Sequence, residues 1–301
     1  MAAKRTLPNI LITGANGQLG SSLALLCNSK DAKFFFTDVN ELDITSKSAV
    51  NKFIAEKRID LVINCAAYTN VAKAQTDKAL ATKLNVAAVE NLAKVCKSHG
   101  AFLIHISTDY IFDGKRKKPI TERVKPAPLN VYGETKFKGE QKIIESGCKY
   151  LIIRTSWLFS EFGNNFVKTM LYLLSTREEI KVVNDQIGTP TYAGDLAKAL
   201  YKIALKALDS RKNIKRGIFN YSNMGECSWY EFAVKIQALS KVKVNSTGLK
   251  CRITPCTSDQ FPTPVVRPAY SVLSKAKIQR SFSLAIPTWQ SSLSKCLKKG
   301  I

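Results

Sequence analysis

The 301-residue chain has no stretch approaching the roughly 20 uninterrupted apolar residues of a membrane-spanning helix, and residues 1–8 are too short and polar for a secretory signal. A soluble cytoplasmic protein with no membrane partner is expected. The eight cysteines, Cys27, Cys65, Cys96, Cys148, Cys227, Cys251, Cys256 and Cys296, include no C-x-x-C pair. That spacing suits neither a zinc knuckle nor a disulfide framework, so reduced thiols are expected. Only two histidines occur, His99 and His105, and neither has ligand-like neighbours, so no metal site is expected. Acidic residues are also scarce: 23 Asp and Glu stand against 46 Lys and Arg, a formal charge of +23. Such a surface attracts anions, diphosphate-bearing ligands among them. Its densest run, Lys115-Arg116-Lys117-Lys118, has no interleaved aromatics and sits between Asp113-Gly114 and Pro119. It reads as a solvated basic loop, and nucleic acid is not an expected partner.

What is present is a 45% hydrophobic composition arranged in short apolar runs between segments of helical periodicity. Strand-like runs cover Asn9 to Thr13, Lys33 to Thr37, Leu61 to Asn64, Phe102 to Ser107 and Tyr150 to Arg154. Helix-like stretches cover Gln18 to Cys27, Lys47 to Glu56, Ala79 to Ser98 and Lys136 to Ser146. This alternation predicts an α/β, Rossmann-type doubly wound parallel sheet over residues 1–155. Helices over Phe166 to Ser175 and Asp195 to Leu208 follow, and a strand over Gly217 to Tyr221 is expected to return to the sheet within segment 190–222. Residues 156–189 and 223–301 then form a smaller C-terminal substrate-binding lobe. Its stretch from Thr257 to Tyr270, rich in proline and polar residues, reads as a loop wrapped over a ligand cleft.

The first strand runs into Gly14-Ala15-Asn16-Gly17-Gln18-Leu19-Gly20, a G-x-x-G-x-x-G turn that opens a helix. Glycines there permit a tight turn and close approach of main chain to a pyrophosphate at the helix N-terminus. Asp38 ends the second strand 18 residues beyond Gly20, near the spacing at which a carboxylate accepts the adenosine ribose hydroxyls. This favours NADH, while the basic surroundings leave NADPH open. Asn64-Cys65-Ala66-Ala67-Tyr68 closes a third strand with small residues, which suits either a passing dinucleotide or tight packing.

Ser107-Thr108-Asp109 ends a further strand, and Tyr132-Gly133-Glu134-Thr135-Lys136 leads into a helix. A spacing of four puts Tyr132 and Lys136 on one helical face. A free phenol titrates near pH 10 and shuttles protons poorly until a cation stabilises its anion, a service Lys136 would provide. Thr108 would hold the substrate carbonyl in line with a hydride donor. A Y-x-x-x-K alone is common by chance; its order after the glycine turn, the acidic strand end and S-T-D makes it informative.

With these motifs the chain resembles the extended short-chain dehydrogenases, and within them the dTDP-4-dehydrorhamnose reductases. The resemblance also rests on Arg154 to Trp157 (RTSW), Asn165 to Leu171 (NFVKTML), Gln186 to Thr191 (QIGTPT) and Arg267 to Leu273 (RPAYSVL). It implies Tyr132 as proton donor, Lys136 as its partner, and Thr108, Asp109 and Trp157 as sugar contacts, with Arg267 an anion contact. Gly17, Gln18, Leu19, Asp38, Asp43, Ile44, Ala66 and Ala67 would contact the cofactor. The implied reaction is hydride transfer from NADPH or NADH to C4 of a dTDP-linked 4-keto sugar, giving dTDP-L-rhamnose. Two departures stand out. Val71-Ala72-Lys73-Ala74-Gln75 replaces a V-D-K-A-E pattern, removing both carboxylates, and Ser22 stands where some relatives carry a glutamate of a magnesium-linked dimer. Neither that metal nor that dimer is expected, although a homodimer of another kind is compatible with the sequence. Two rivals share the fold: a bifunctional nucleotide-sugar epimerase/reductase, and a non-catalytic NAD(P)-binding subunit like the regulatory partner of methionine adenosyltransferase.

Overall fold

Strands buried on both faces need apolar side chains on each, and the first strand, β1 (Asn9–Thr13), supplies them with Ile10 and Ile12 on one side and Leu11 on the other. The computed structural model describes residues 7–209, 215–242, 248–261 and 263–300, so the expectation drawn from residues 1–8 lies almost wholly outside it. After β1 come α1 (Gln18–Ala24), β2 (Lys33–Thr37), α2 (Lys47–Glu56) and β3 (Leu61–Asn64). Then follow α3 (Lys78–Thr82), α4 (Ala88–His99), β4 (Phe102–Thr108), α5 (Val131–Ser146) and β5 (Lys149–Thr155). The single helix expected over Ala79 to Ser98 is split by a π turn at Lys83–Ala87. There the buried Asn85 side chain bonds the main chain of Tyr68 at both its N–H and its carbonyl, and also reaches the Thr135 hydroxyl. Asn130 caps α5, its side chain accepting the Gly133 N–H at 2.9 Å.

The second half begins with β6 (Leu158–Phe159), α6 (Phe166–Thr176), β7 (Glu179–Val183), β8 (Ile187–Gly188) and β9 (Thr191–Tyr192). It continues through α7 (Ala193–Leu208), β10 (Gly217–Asn220), β11 (Cys227–Ser228), α8 (Trp229–Leu239), β12 (Arg252–Cys256), α9 (Ala276–Phe282) and α10 (Trp289–Lys298). Among the described residues no helix is long and apolar enough to cross a membrane.

One six-stranded parallel sheet has the order β10-β5-β4-β3-β1-β2, with β10 returning beside β5. The winding reverses between β1 and β3, and ligands bind outside the carboxyl ends of strands at such a switch point. Both the glycine turn after β1 and the N-C-A-A segment after β3 leave the sheet there. On one face, α1 and α7 cover Ile10, Ile12, Ile63 and Ile104 with Leu23, Leu196 and Leu200; on the other, α2, α4 and α5 cover Leu11, Val62 and Leu103 with Ile54, Leu92 and Ile143. A separate core of Phe159, Met170, Val182, Tyr192, Phe232 and Leu293 joins α6, β7, α8 and α10. Helix α9, which falls within the segment read as the second lobe, packs instead on the sheet core through Ile278 and Phe282, the latter ring meeting Phe219 edge-on at 5.2 Å.

Candidate active site

A cleft of about 770 Å³ opens over the switch point and is lined by every cofactor and catalytic candidate read from the sequence. Gly14 has φ +65°, and a Cβ on it would stand 2.6 Å from the Ala66 nitrogen. The glycine turn and the small residues after β3 are therefore in main-chain contact, which leaves no room for side chains between them. Asp38 accepts the Asn16 N–H at 3.0 Å and the Val39 N–H at 2.8 Å, so its carboxylate is anchored at the far end of the cleft. Hydrogen bonds from Thr45 hold the Asp43 carboxyl below its ordinary range. Leu19 and Ile44 are buried in the wall. Gln18 faces the other lobe: its Oε1 accepts the Ser160 hydroxyl at 3.1 Å and the Asn165 amide at 3.2 Å. A glycine turn closing on small residues, an α1 without a side-chain cap and an anchored carboxylate together fit a dinucleotide.

Thr108, at the end of β4, and Tyr132, in the first turn of α5, meet at the chemical end. Burial pushes the Tyr132 phenol up, and a hydrogen bond with Thr108 acts the other way. Tyr110 packs edge-to-face on Tyr132, centroids 5.5 Å apart. Burial also lifts the Asp109 carboxyl, to about 6, against the pull of the Ser271 and Thr108 hydroxyls. Its Oδ2 is buried and accepts no hydrogen bond among the described residues. Lys136 lines the same cleft as the Tyr132 phenol. Lys136 Nζ donates to the Ile106 carbonyl at 2.6 Å, because a buried ammonium takes the nearest strand-end acceptor. Burial draws its pKa down to about 8, with Glu140 and Cys65 opposing.

Beneath this pair lies a buried ionic cluster. Glu140 receives Arg154 through two nitrogens, at 2.9 and 2.6 Å, and the Ser107 hydroxyl at 2.5 Å. It fastens the ends of β4 and β5 to α5, one helical turn beyond Lys136. In place of the missing glutamate, Gln75 accepts the Val131 N–H at 2.8 Å and so still braces the start of α5.

Trp157 lines the cleft, whereas Arg267 lies in a second cavity of about 680 Å³ between α6, β7 and residues 258–261 and 263–267. The two cavities adjoin at Trp157, which stacks on Trp229 of the second, and at Tyr110, which lies within electrostatic reach of Arg267. A Cβ on Gly188 would stand 2.5 Å from the Trp157 ring, so only glycine fits beneath it. Sequence reasoning missed Trp229, Tyr110, Ser271 and the buried His105 beside Lys136. Of these, only Ser271 lay inside a motif already singled out, Arg267 to Leu273, while Tyr110 directly follows Ser107-Thr108-Asp109.

The RmlD substrate binding domain family matches residues 8–301. A dTDP-4-dehydrorhamnose reductase of Aggregatibacter actinomycetemcomitans is 41% identical over 290 residues, 95% of this chain and 97% of that protein. The enzyme of that name from Escherichia coli K12 is 38% identical over 296 residues, 97% of each chain. Among solved structures, a Bacillus anthracis dTDP-4-dehydrorhamnose reductase in complex with NADP superposes with a TM-score of 0.89 at 38% identity, covering 98% of this chain and all of that one (100%). With the whole described fold and these matches in agreement, the chain belongs to the dTDP-4-dehydrorhamnose reductase family of NAD(P)H-dependent oxidoreductases.

Proposed function

We propose that the chain reduces the C4 ketone of dTDP-4-dehydro-L-rhamnose to dTDP-L-rhamnose, with Tyr132 as proton donor and NADPH or NADH as reductant. The observation that carries this reading is the meeting of Thr108, Tyr132 and Lys136 with the glycine turn in one cleft. When bound, the nicotinamide cofactor supplies the hydride. Gly14, Gly17, Gln18, Leu19 and Gly20 would hold its diphosphate, Asp38 a ribose, and Asp43, Ile44, Ala66 and Ala67 the rest of its length. Thr108 and Tyr132 both present hydroxyls to the ketone oxygen. As negative charge builds on that oxygen, Tyr132 gives it a proton, and Thr108 holds the carbonyl in place. Lys136, while charged, stabilises the phenolate that remains. Asp109 Oδ2, with an open lone pair, receives a sugar hydroxyl, and Trp157 forms a wall against the sugar ring. Arg267 and the second cavity take the nucleotide diphosphate end. A nucleotide-sugar substrate of this class goes with a cytoplasmic location.

The test is absorbance of the reduced nicotinamide on mixing purified protein with NADPH or NADH and dTDP-4-keto-6-deoxyglucose, with and without a 3,5-epimerase. Oxidation only with the epimerase, with dTDP-L-rhamnose as product, is the expected result. Oxidation without it would transfer the reading to a bifunctional epimerase/reductase; cofactor binding with no turnover would transfer it to a regulatory subunit.

A further inference from the structure

A chain of buried polar groups crosses the sheet beneath the cleft, and the proposed chemistry leaves it unused. Thr13, Asn64 and His105, each 1% exposed, lie side by side on β1, β3 and β4, and His105 ends against Lys136. Asn64 Oδ1 accepts the Thr13 hydroxyl at 2.7 Å and the Ala66 N–H at 3.1 Å. A main-chain N–H can only donate, so this contact fixes which end of the Asn64 amide is oxygen. The amide nitrogen therefore faces His105 Nδ1, at 3.0 Å, and Nδ1 must offer a lone pair. Burial, with Lys136 alongside, holds the imidazole far below its usual titration range, so the ring is neutral and its one proton sits on Nε2. Nε2 lies 3.4 Å from Lys136 Nζ.

Two donors thus face each other while Lys136 is an ammonium. The contact becomes a hydrogen bond only when Nζ carries a lone pair. We infer that His105 is a positioning residue whose Nε2–H, oriented by Asn64, biases Lys136 toward its neutral amine form and so sets the alkaline limit of the reaction. The other groups facing Lys136 pull the opposite way: Glu140 from α5, itself paired with Arg154 of β5, and Cys65 after β3. Tyr132 shares its helical face and is hydrogen-bonded with Thr108. His105 adds to the burial that already keeps this lysine from being permanently charged. The inference rests on the proposed role of Lys136 in supporting Tyr132.

Uniformly 15N-labelled full-length protein tests it, because the chain has only two histidines and His99 lies on the surface. Long-range proton–nitrogen correlation is expected to show His105 as the Nε2–H tautomer, unchanged from about pH 6 to about pH 9. An Nδ1–H tautomer or an imidazolium would overturn the inference whatever the activity. The functional arm is His105→Asn, which keeps an acceptor for Asn64 and removes the donor at Nε2. The alkaline limb of kcat should move up by roughly 1 pH unit, and His105→Gln, which returns an N–H near that place, should bring it back. A folded His105→Asn enzyme with an unmoved limb would refute the inference. Lys136→Met separates the two claims: if it keeps full turnover, the reading of Lys136 fails, while the tautomer result stands or falls by itself.

Discussion

The indole of Trp157 lies flat on that of Trp229, with ring centroids 3.5 Å apart and planes 9° from parallel. Trp157 adopts this pose at φ +46°, a conformation a bulky side chain rarely takes. Strain of this kind persists only where the surroundings enforce it, here the stack above and Gly188 below. The pair forms the wall shared by the two cavities, so Trp229→Ala should loosen Trp157 and raise KM for the sugar about 10-fold, a loss of about 1–2 kcal/mol. The dissociation constant of NADPH should stay unchanged. Steady-state kinetics beside a fluorescence titration of the cofactor decide this, and an unchanged sugar KM would reduce the stack to packing.

The Glu140–Arg154 pair predicts a pattern in stability. Both side chains are almost wholly buried, at 1% and 2% exposure, and Arg154 also lies over the Phe112 ring. Glu140→Ala strands a buried guanidinium and should cost about 3–5 kcal/mol in urea unfolding. Removing both charges, as Glu140→Gln with Arg154→Met, should recover most of that loss. Equal destabilisation by the single and double changes would show that shape, not charge pairing, holds this junction.

Asp109 predicts a pH-dependent stability difference. Its carboxyl is lifted to about 6 from an ordinary value of 3.8, so the folded state holds the proton more tightly than the unfolded chain does. That contribution is fully present below about pH 4 and is lost as pH rises through about 6. Asp109→Asn cannot ionise. Its unfolding free energy should exceed the parent's by about 2 kcal/mol at pH 8 and match it near pH 4. The same variant should bind the sugar less tightly at pH 8, since a carboxylate acceptor is lost. A stability difference that does not vary with pH would contradict this assignment.

Much of this architecture was legible because it rests on local pattern. Strands such as Leu61–Asn64 are continuous apolar runs, and the glycine turn carries its own geometry, so sheet, cleft and cofactor wall follow from residues near each other in sequence. What escaped depends on contacts between distant segments. The two-residue strands β6, β8, β9 and β11 are too short to show a period. The π turn serves the main chain of Tyr68, which no periodicity in α4 reveals. A spacing of four placed Lys136 on the face of Tyr132, yet it could not show that Nζ would donate to the Ile106 carbonyl and stand beside His105. Arg267 was placed with the anion-binding groups, but only its packing beside Phe261, Thr263 and Val265 shows that it lines a second cavity.

The central claim is that Tyr132 gives the proton while the rest of the cleft binds the reactants. It is tested most directly by single-turnover oxidation of NADPH with dTDP-4-dehydro-L-rhamnose in the parent and in Tyr132→Phe. The account predicts a rate lower by about 10²–10⁴-fold in the variant, with NADPH bound as tightly as before. A Tyr132→Phe enzyme that turns over at the parent's rate would contradict it.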